Sequence, residues 1–358
     1  MMRQRHAVFG VVLTAACLLP RGGRADDDPD DDPAMIIIYD GFGTPQKARL
    51  WGRVVEDKGF DKPKKKERWT RRLKRSYRLL ESDEIPGAQV ALKVAGQKRK
   101  IVADKEGLFV VELKKLPLGR HEVQATLVES KRAFRVMTGS VVVVEGRKGG
   151  VGVISDVDDT ILDTQVKKKL RMLKRVLLDN ARSLKTFPTA PALYRDLVSA
   201  GMPLIFVSGS PINLYPRLRH FMRIKGFPRG ALRLKNLGVS SGSDALRDQG
   251  AYKISRIREV MQLLPRWRFV LIGDSGEKDP EIYREVQRLY PGRVVATLIR
   301  DVGGAKKDSA KNATKNDSAR FAGQLLFSHF EQARRALEKK GLLAKPSPKP
   351  KSDAKAQP

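Results

Sequence analysis

The chain has 358 residues, with 71 Lys and Arg against 40 Asp and Glu, a formal net charge of +31 at pH 7. That length holds one or two domains of ordinary size, and a hydrophobic fraction of 41% with 13 Phe, 7 Tyr and 3 Trp builds a core, so wholesale disorder is excluded. The single cysteine, Cys17, excludes a disulfide framework, a cysteine nucleophile and cysteine-built zinc sites, and the four histidines (His6, His121, His220, His329) share no short ligand spacing, which leaves carboxylates, hydroxyls and amines to carry the chemistry.

Arg3 and Arg5 precede an apolar run from Ala7 to Leu19, and Gly23-Arg24-Ala25 puts small residues on either side of Arg24, just before a cut after Ala25. Basic, apolar and small-residue regions in that order predict a secretory signal peptide over 1–25. The run is shorter than the roughly 20 residues that a bilayer span requires, so an uncleaved anchor is the weaker reading. Export to the periplasm or medium is therefore expected, with membrane association as a variant of that location. The acidic, proline-broken run DDDPDDDP, within 26–34, is expected to be a solvated linker rather than a calcium loop.

From Met35 the pattern changes to strands. Ile36-Ile37-Ile38 is an apolar run, Val90, Leu92 and Val94 alternate, Leu108 to Leu113 follows a turn at 104–107, His121 to Val128 alternates again, and Val141 to Val144 closes the series. Short strands punctuated by Gly, Pro and Asp predict a small β-sandwich over 35–148. Between Lys62 and Arg78, 10 of 17 residues are Lys or Arg, with Trp69, Leu73 and Tyr77 on one helical face. Arg147-Lys148-Gly149-Gly150 reads as a hinge to the next unit.

Over 151–342 strand-like runs at Val151 to Ser155, Pro203 to Ser208, Arg268 to Gly273 and Arg293 to Ile299 alternate with helical stretches near 165–185, 190–201, 211–225, 251–264 and 280–290. Alternation of this kind predicts an α/β fold with a parallel sheet covered by helices, whose functional residues gather beyond the carboxyl ends of the strands. A solvated loop at 303–318, a helix over 319–341 and a disordered tail at 343–358 complete the expectation.

The strand ends carry one kind of message. The first ends in Asp156-Val157-Asp158-Asp159-Thr160, the second in Ser208-Gly209-Ser210-Pro211, and the later one in Gly273-Asp274-Ser275-Gly276, with Asp279 close behind and Lys253 early in a helix between them. Carboxylates converging from neighbouring strands repel one another unless a cation neutralises them. Oxygen-only ligands suit a hard ion, and Mg²⁺ characteristically shares one or two carboxylates with a substrate phosphate. Each residue also has a plainer role open to it: Asp159, Thr160, Ser208 or Asp279 as a helix cap, Lys253 as a surface lysine. Ser275 within GDSG resembles a serine-protease nucleophile, but no histidine has a supporting context.

DVDDT at 156, SGSP at 208, Lys253 and GDSGEKDPEIY at 273, taken in order, resemble the haloacid-dehalogenase superfamily of phosphohydrolases, and within it the family whose catalytic domain is shared with the actin-patch phosphatidate phosphatase. The resemblance covers about 151–302; Tyr252 stands where that family has a histidine. It implies a Rossmann-like, haloacid-dehalogenase-type catalytic domain without a large cap. It further implies that Asp156 is a nucleophile forming an aspartyl-phosphate and that Asp158 is a general acid and base. Ser208 and Lys253 would serve the phosphoryl group, with Thr160 and Gly209 lining it, and Mg²⁺ would be held by Asp156, Asp158 through its main chain, Asp274 and Asp279.

The intervals Thr160 to Ser208 and Pro211 to Lys253 leave little room for a lid, and an open site suits phosphate on a large substrate such as a phospholipid monoester. From Val166 to Lys185, 8 of 20 residues are basic behind an apolar stripe, so this segment and the one at 62–78 are candidates for peripheral contact with an anionic membrane, or else solvated faces of packed helices. Nucleic acid is the less favoured anionic partner because of the expected export. A phosphatase for nucleotide or polynucleotide ends, and a non-enzymatic surface-binding protein on the same fold, are the alternatives.

Overall fold

The computed structural model describes residues 33–57, 83–128, 130–163, 184–236, 248–302 and 319–344. The signal peptide, most of the acidic linker, the basic segment at 62–78, nearly all of 166–185, the loop 303–318 and most of the tail lie outside the described residues.

Among the described residues the N-terminal half has nine strands: β1 (Ala34–Gly43), β2 (Ala48–Glu56), β3 (Gln89–Val94), β4 (Gln97–Val102), β5 (Leu108–Leu113), β6 (Gly119–Glu122), β7 (Gln124–Val128), β8 (Phe134–Met137) and β9 (Ser140–Val143). One sheet runs β5-β2-β1-β9-β6, with β8 also on β1, and a second runs β4-β3-β7. The first is mixed: β1 is antiparallel to β2 but parallel to β8 and β9. The single alternating run expected from His121 to Val128 is divided at buried Val123, with β6 in the larger sheet and β7 in the smaller. The two strands share one alternating pattern, which does not reveal that the chain changes partners.

All ten residues of β1 are buried, which explains why its sequence is a run of apolar residues from Ala34 to Tyr39 rather than an alternation. Ile36 and Ile38 join Leu50, Val54, Val90 and Leu92 in a core between the two sheets. Met35, Ile37 and Tyr39, with Phe42, Trp51 and Val55, point the other way into the core of the C-terminal half. Strand β3, by contrast, buries alternate residues, as a strand does when only one of its faces is packed.

The C-terminal half contains β10 (Val151–Ser155), the short pair β11 (Leu162–Asp163) and β12 (Lys185–Thr186), α1 (Ala190–Ser199), β13 (Leu204–Pro211), a 3₁₀ turn (Ile212–Leu214), α2 (Tyr215–Ile224), β14 (Ala231–Lys235), α3 (Gln249–Leu263), β15 (Arg268–Asp274), α4 (Asp279–Leu289), β16 (Val294–Arg300), β17 (Leu325–Phe327) and α5 (Phe330–Lys339). The sheet order is β14-β13-β10-β15-β16-β17, parallel throughout. The fold is thus mixed α/β with a parallel sheet. The helix expected over 319–341 is corrected to β17 and the shorter α5: Gly323 takes a left-handed φ of 74° that ends the turn before it, and Leu325 to Phe327 pair with β16.

The two halves share more than a boundary. Gly149 and Gly150, expected as a hinge, lie against Arg266 and the Trp267 ring with no space for a Cβ, and Trp267 Nε1 donates to Glu145 O at 2.7 Å. Asp40, buried in β1, accepts from Arg229 at 2.8 Å, from Arg219, and from the N–H and hydroxyl of Ser140. Arg233 lies 3.7 Å above the Trp51 ring and pairs with Glu259, which also receives Arg49. Removing the charge of a buried carboxylate strands its cations, so Asp40→Asn should cost about 3 kcal/mol. The expected result is a lower urea midpoint at unchanged slope in one transition; separate transitions for the two halves would contradict the shared core.

Candidate active site

Strands β13, β10 and β15 are adjacent, so the three acidic or hydroxylated strand ends read from the sequence arrive side by side. Asp156 leaves β10 with its N–H donating to Ile272 O of β15 at 2.8 Å. Ser208 is the last residue of β13 before a register shift in its pairing with β14, and Asp274 ends β15. Asp156, Asp158, Thr160, Ser208, Lys253, Asp274 and Asp279 are all buried.

Lys253, in the second turn of α3, reaches down to Asp156 Oδ1 at 2.7 Å and Asp279 Oδ1 at 2.5 Å, with Glu277 at 3.5 Å. Asp158 Oδ2 accepts from the hydroxyls of Ser208 (2.7 Å) and Ser210 (2.9 Å), while the N–H of Ser210 donates to Ser208 Oγ. Asp274 Oδ1 accepts from the N–H groups of Gly276 and Glu277, and its own N–H donates to Asp279 Oδ2. Gly273 is glycine for a steric reason: a Cβ there would overlap the Asp279 carboxylate and the Tyr283 ring. Tyr283 donates to Ile272 O at 2.9 Å, and the hydroxyls of Tyr194 and Ser155 lie 2.6 Å apart beneath the nucleophile candidate.

Three carboxylate oxygens, Asp156 Oδ2, Asp158 Oδ1 and Asp274 Oδ2, are buried without a hydrogen-bond partner among the described residues. Buried carboxylate oxygens are rarely left so unless an ion or ligand completes them. Asp156, Asp274 and Asp279 offer oxygens within 4.8 Å of one another, and an all-oxygen donor set of this kind fits a hard divalent cation. Asp279 already spends Oδ1 on Lys253 and Oδ2 on the Asp274 amide, so Asp156 and Asp274 present the free oxygens and Asp279 braces them.

Burial dominates the electrostatics. It pushes Asp158 up to about 6 against the two serine donors, and Asp274 up to about 8 with Asp279 adding to the rise. Asp156 and Asp279 are raised for the same reason, with Lys253 opposing. Burial alone would lower Lys253, but Asp156, Asp279 and Glu277 together outweigh it and hold the ammonium charged.

The site residues expected from sequence therefore meet in one place. Ser208 is turned to Asp158 rather than into open space, and Asp279 is not a helix cap: α4 begins at it with Lys278 as the cap, and its side chain points inward. Thr160 Oγ1 is buried without a partner among the described residues, and Gly209 sits between the two serines, where a Cβ would find only ordinary contact with Gln249. Tyr252, at the departure from the expected histidine, is fully buried with the Arg256 guanidinium 5.7 Å from its ring. Sequence reasoning gave no role to Ser210, Gln249, Glu277 or Arg300. Gln249 donates to Glu277, and Arg300 stacks on Phe187 at 3.9 Å and donates to the Asp159 carbonyl, where φ is 55°. Ser210 and Glu277 lay inside recognised motifs; Gln249 and Arg300 carried no signal.

Residues 151–301 match the family profile described as phosphatidate phosphatase APP1, catalytic domain. The phosphatidate phosphatase APP1 of Saccharomyces cerevisiae is 31% identical over 161 residues, which are 44% of this chain and 27% of that protein. An uncharacterised protein of Schizosaccharomyces pombe is 27% identical over 227 residues, 59% of this chain and 37% of its own length. The chain thus spans well under half of either relative. A haloacid-dehalogenase-family hydrolase from Deinococcus radiodurans R1, solved with bound phosphate and sodium, superposes with a TM-score of 0.35 at 17% identity over 55% of this chain and 98% of that one.

Carboxyl groups whose folded pKa is raised favour the fold below their ordinary value of 3.8 and lose that contribution as the pH climbs through the folded value. Without divalent cation the melting temperature should therefore fall as the pH rises from about 4 to 8 through the Asp158 and Asp274 ionisations, and Mg²⁺ should raise it more at pH 8 than at pH 5. Calorimetry across that range with and without Mg²⁺ is the check; an equal shift at both values would contradict a cation site built on these carboxylates.

Proposed function

We propose that the protein, whose residues 151–301 match the phosphatidate phosphatase APP1 catalytic-domain profile, is a Mg²⁺-dependent phosphoric monoester hydrolase that acts through an aspartyl-phosphate, with phosphatidate or a similar phospholipid monoester as substrate. The observation that carries the reading is the pair Asp156 and Lys253: a buried carboxylate with one oxygen on the ammonium and the other unpartnered among the described residues.

In this reading Asp156 Oδ2 attacks phosphorus, the new P–O bond forms as the bond to the alkoxide breaks, and water later cleaves the acyl phosphate to return the carboxylate and release phosphate. Asp158 supplies the proton to the leaving alkoxide and takes one from the attacking water. Its Oδ2 is already an acceptor for two hydroxyls, so the proton belongs on Oδ1, and a pKa near 6 suits a group that must both give and take at neutral pH. Lys253 stabilises charge on Asp156 and the phosphoryl oxygens. Thr160, whose hydroxyl has no partner among the described residues, donates to those oxygens beside the main chain at Gly209, and Ser208 serves them indirectly by holding Asp158 Oδ2. A bound Mg²⁺, held by Asp156, Asp274 and the Asp158 main chain with Asp279 behind them, would supply a Lewis acid for the phosphoryl oxygens.

A site without a large cap, a β-sandwich as the separate character of the N-terminal half, and export with peripheral attachment to an anionic surface belong to the same proposal. A net charge of +31 favours an anionic interface. No helix among the described residues is long and apolar enough to cross a membrane.

With Mg²⁺ and a chromogenic phosphomonoester, Asp156→Asn should lower kcat at least about a thousandfold. On phosphatidate vesicles the wild type should exceed its kcat/KM on soluble nucleotides by about tenfold or more. Preference for nucleotides would replace the lipid reading with that of a nucleotide phosphatase, and no turnover of any phosphomonoester would favour a binding protein on this fold.

A further inference from the structure

The segment that follows Ser208 and Ser210 is held by the other half of the protein. Directly after Pro211 the chain makes the 3₁₀ turn Ile212–Leu214 and enters α2 at Tyr215. Neither element has a side-chain cap. Contacts from β1 and β2 hold the turn. Arg53 Nη1 donates to Asn213 Oδ1 at 2.8 Å, the Asp40 N–H donates to Tyr215 Oη at 3.3 Å, the Tyr39 and Tyr215 rings meet edge to face at 4.5 Å, and Asp40 pairs with Arg219 one turn into α2.

Arg53 is built for this task. It sits opposite Ile37 in the middle of the larger sheet, on the face turned toward the α/β half, and its side chain is only 4% exposed. Its guanidinium is fixed in two further directions, by Glu106 O at 3.1 Å and Glu84 Oε1 at 2.6 Å. Three restraints on a planar fork leave the Nη1 hydrogen little freedom except toward Asn213. From Asn213 the chain runs back through Pro211 to Ser210 and Ser208, the two hydroxyls that hold Asp158 Oδ2.

We infer that Arg53 is a positioning residue for proton transfer: through Asn213 it sets the turn that carries Ser208 and Ser210, and so the orientation of the Asp158 carboxyl, which makes the N-terminal sheets part of the catalytic apparatus rather than a separable attachment. The inference rests on the reading of Asp158 as general acid. A small misplacement of that carboxyl slows departure of an alkoxide, which needs its proton, far more than departure of a nitrophenolate, which does not.

The test compares kcat/KM, which covers the phosphoryl-transfer step, on p-nitrophenyl phosphate and on an unactivated alkyl phosphate for the full-length wild type, Arg53→Lys, Asn213→Ala, the double variant and Ser210→Ala. Arg53→Lys keeps the charge and loses the fork. It and Asn213→Ala should each lower the alkyl phosphate value about tenfold and the nitrophenyl value less than about twofold, with the double variant no worse than either and Ser210→Ala showing the same split. A uniform loss on both substrates, or no loss, overturns the inference, because a merely structural role does not distinguish leaving groups. Hydrogen exchange gives a second, activity-free reading: in Arg53→Lys the amides at 208–214 should exchange faster by a larger factor than those of β15 and β16, which report the overall change in stability. If the wild type hydrolyses neither substrate, the functional reading falls by itself, and retained protection at 208–214 then overturns the role of Arg53 as well.

Discussion

Among the described residues five carboxylates share a buried pocket with one ammonium, and much of the C-terminal half answers to that imbalance. Asp156, Asp158, Asp274 and Asp279 are at most 4% exposed, Glu277 lies beside them, and Lys253 is the cation among them. Away from water such a set cannot stay fully ionised without a compensating charge. The protein answers in three ways: Lys253 is shared by three acids, main-chain amides and serine hydroxyls take up single oxygens, and the remaining oxygens of Asp156 and Asp274 are left aimed at a common space. A fold that held stability alone would have no use for that last arrangement.

The parallel sheet makes the crowding achievable. Because β10 lies between β13 and β15, three successive motifs end at one edge without any long side chain having to reach. The ring of Tyr283 and the absent side chain of Gly273 let α4 approach closely enough for Asp279 to meet both Lys253 and the Asp274 amide.

The N-terminal half takes part by packing rather than by chemistry. Its β1 strand is covered on both faces, one belonging to its own core and the other to the core of the C-terminal half. Arginines on either side of the boundary find acceptors across it, Asp40 receiving Arg219 and Arg229 and Glu259 receiving Arg49. Apolar contact and buried ion pairs on this scale bind the two halves into one mechanical unit, so the seam transmits position as well as stability.

The residues of the acidic cluster were legible because their side-chain types stand at fixed local offsets: DVDDT, SGSP and GDSGEKD each lie at the carboxyl end of a strand and each contribute to the cluster. The alternating β and α pattern likewise predicted a parallel sheet, since burial against helices demands apolar strands. Long-range partnership had no such local trace. The sequence could not tell that Ile36 and Ile37 face different cores, that the run through Val123 changes sheets, that Leu325 to Phe327 leave a helical pattern to pair with β16, or that Arg53 and Arg300 reach into the neighbourhood of the site. Side-chain chemistry and period are properties of neighbouring residues and can be read from the chain; which surface a face meets, and which distant carbonyl a guanidinium finds, is decided only when the elements pack.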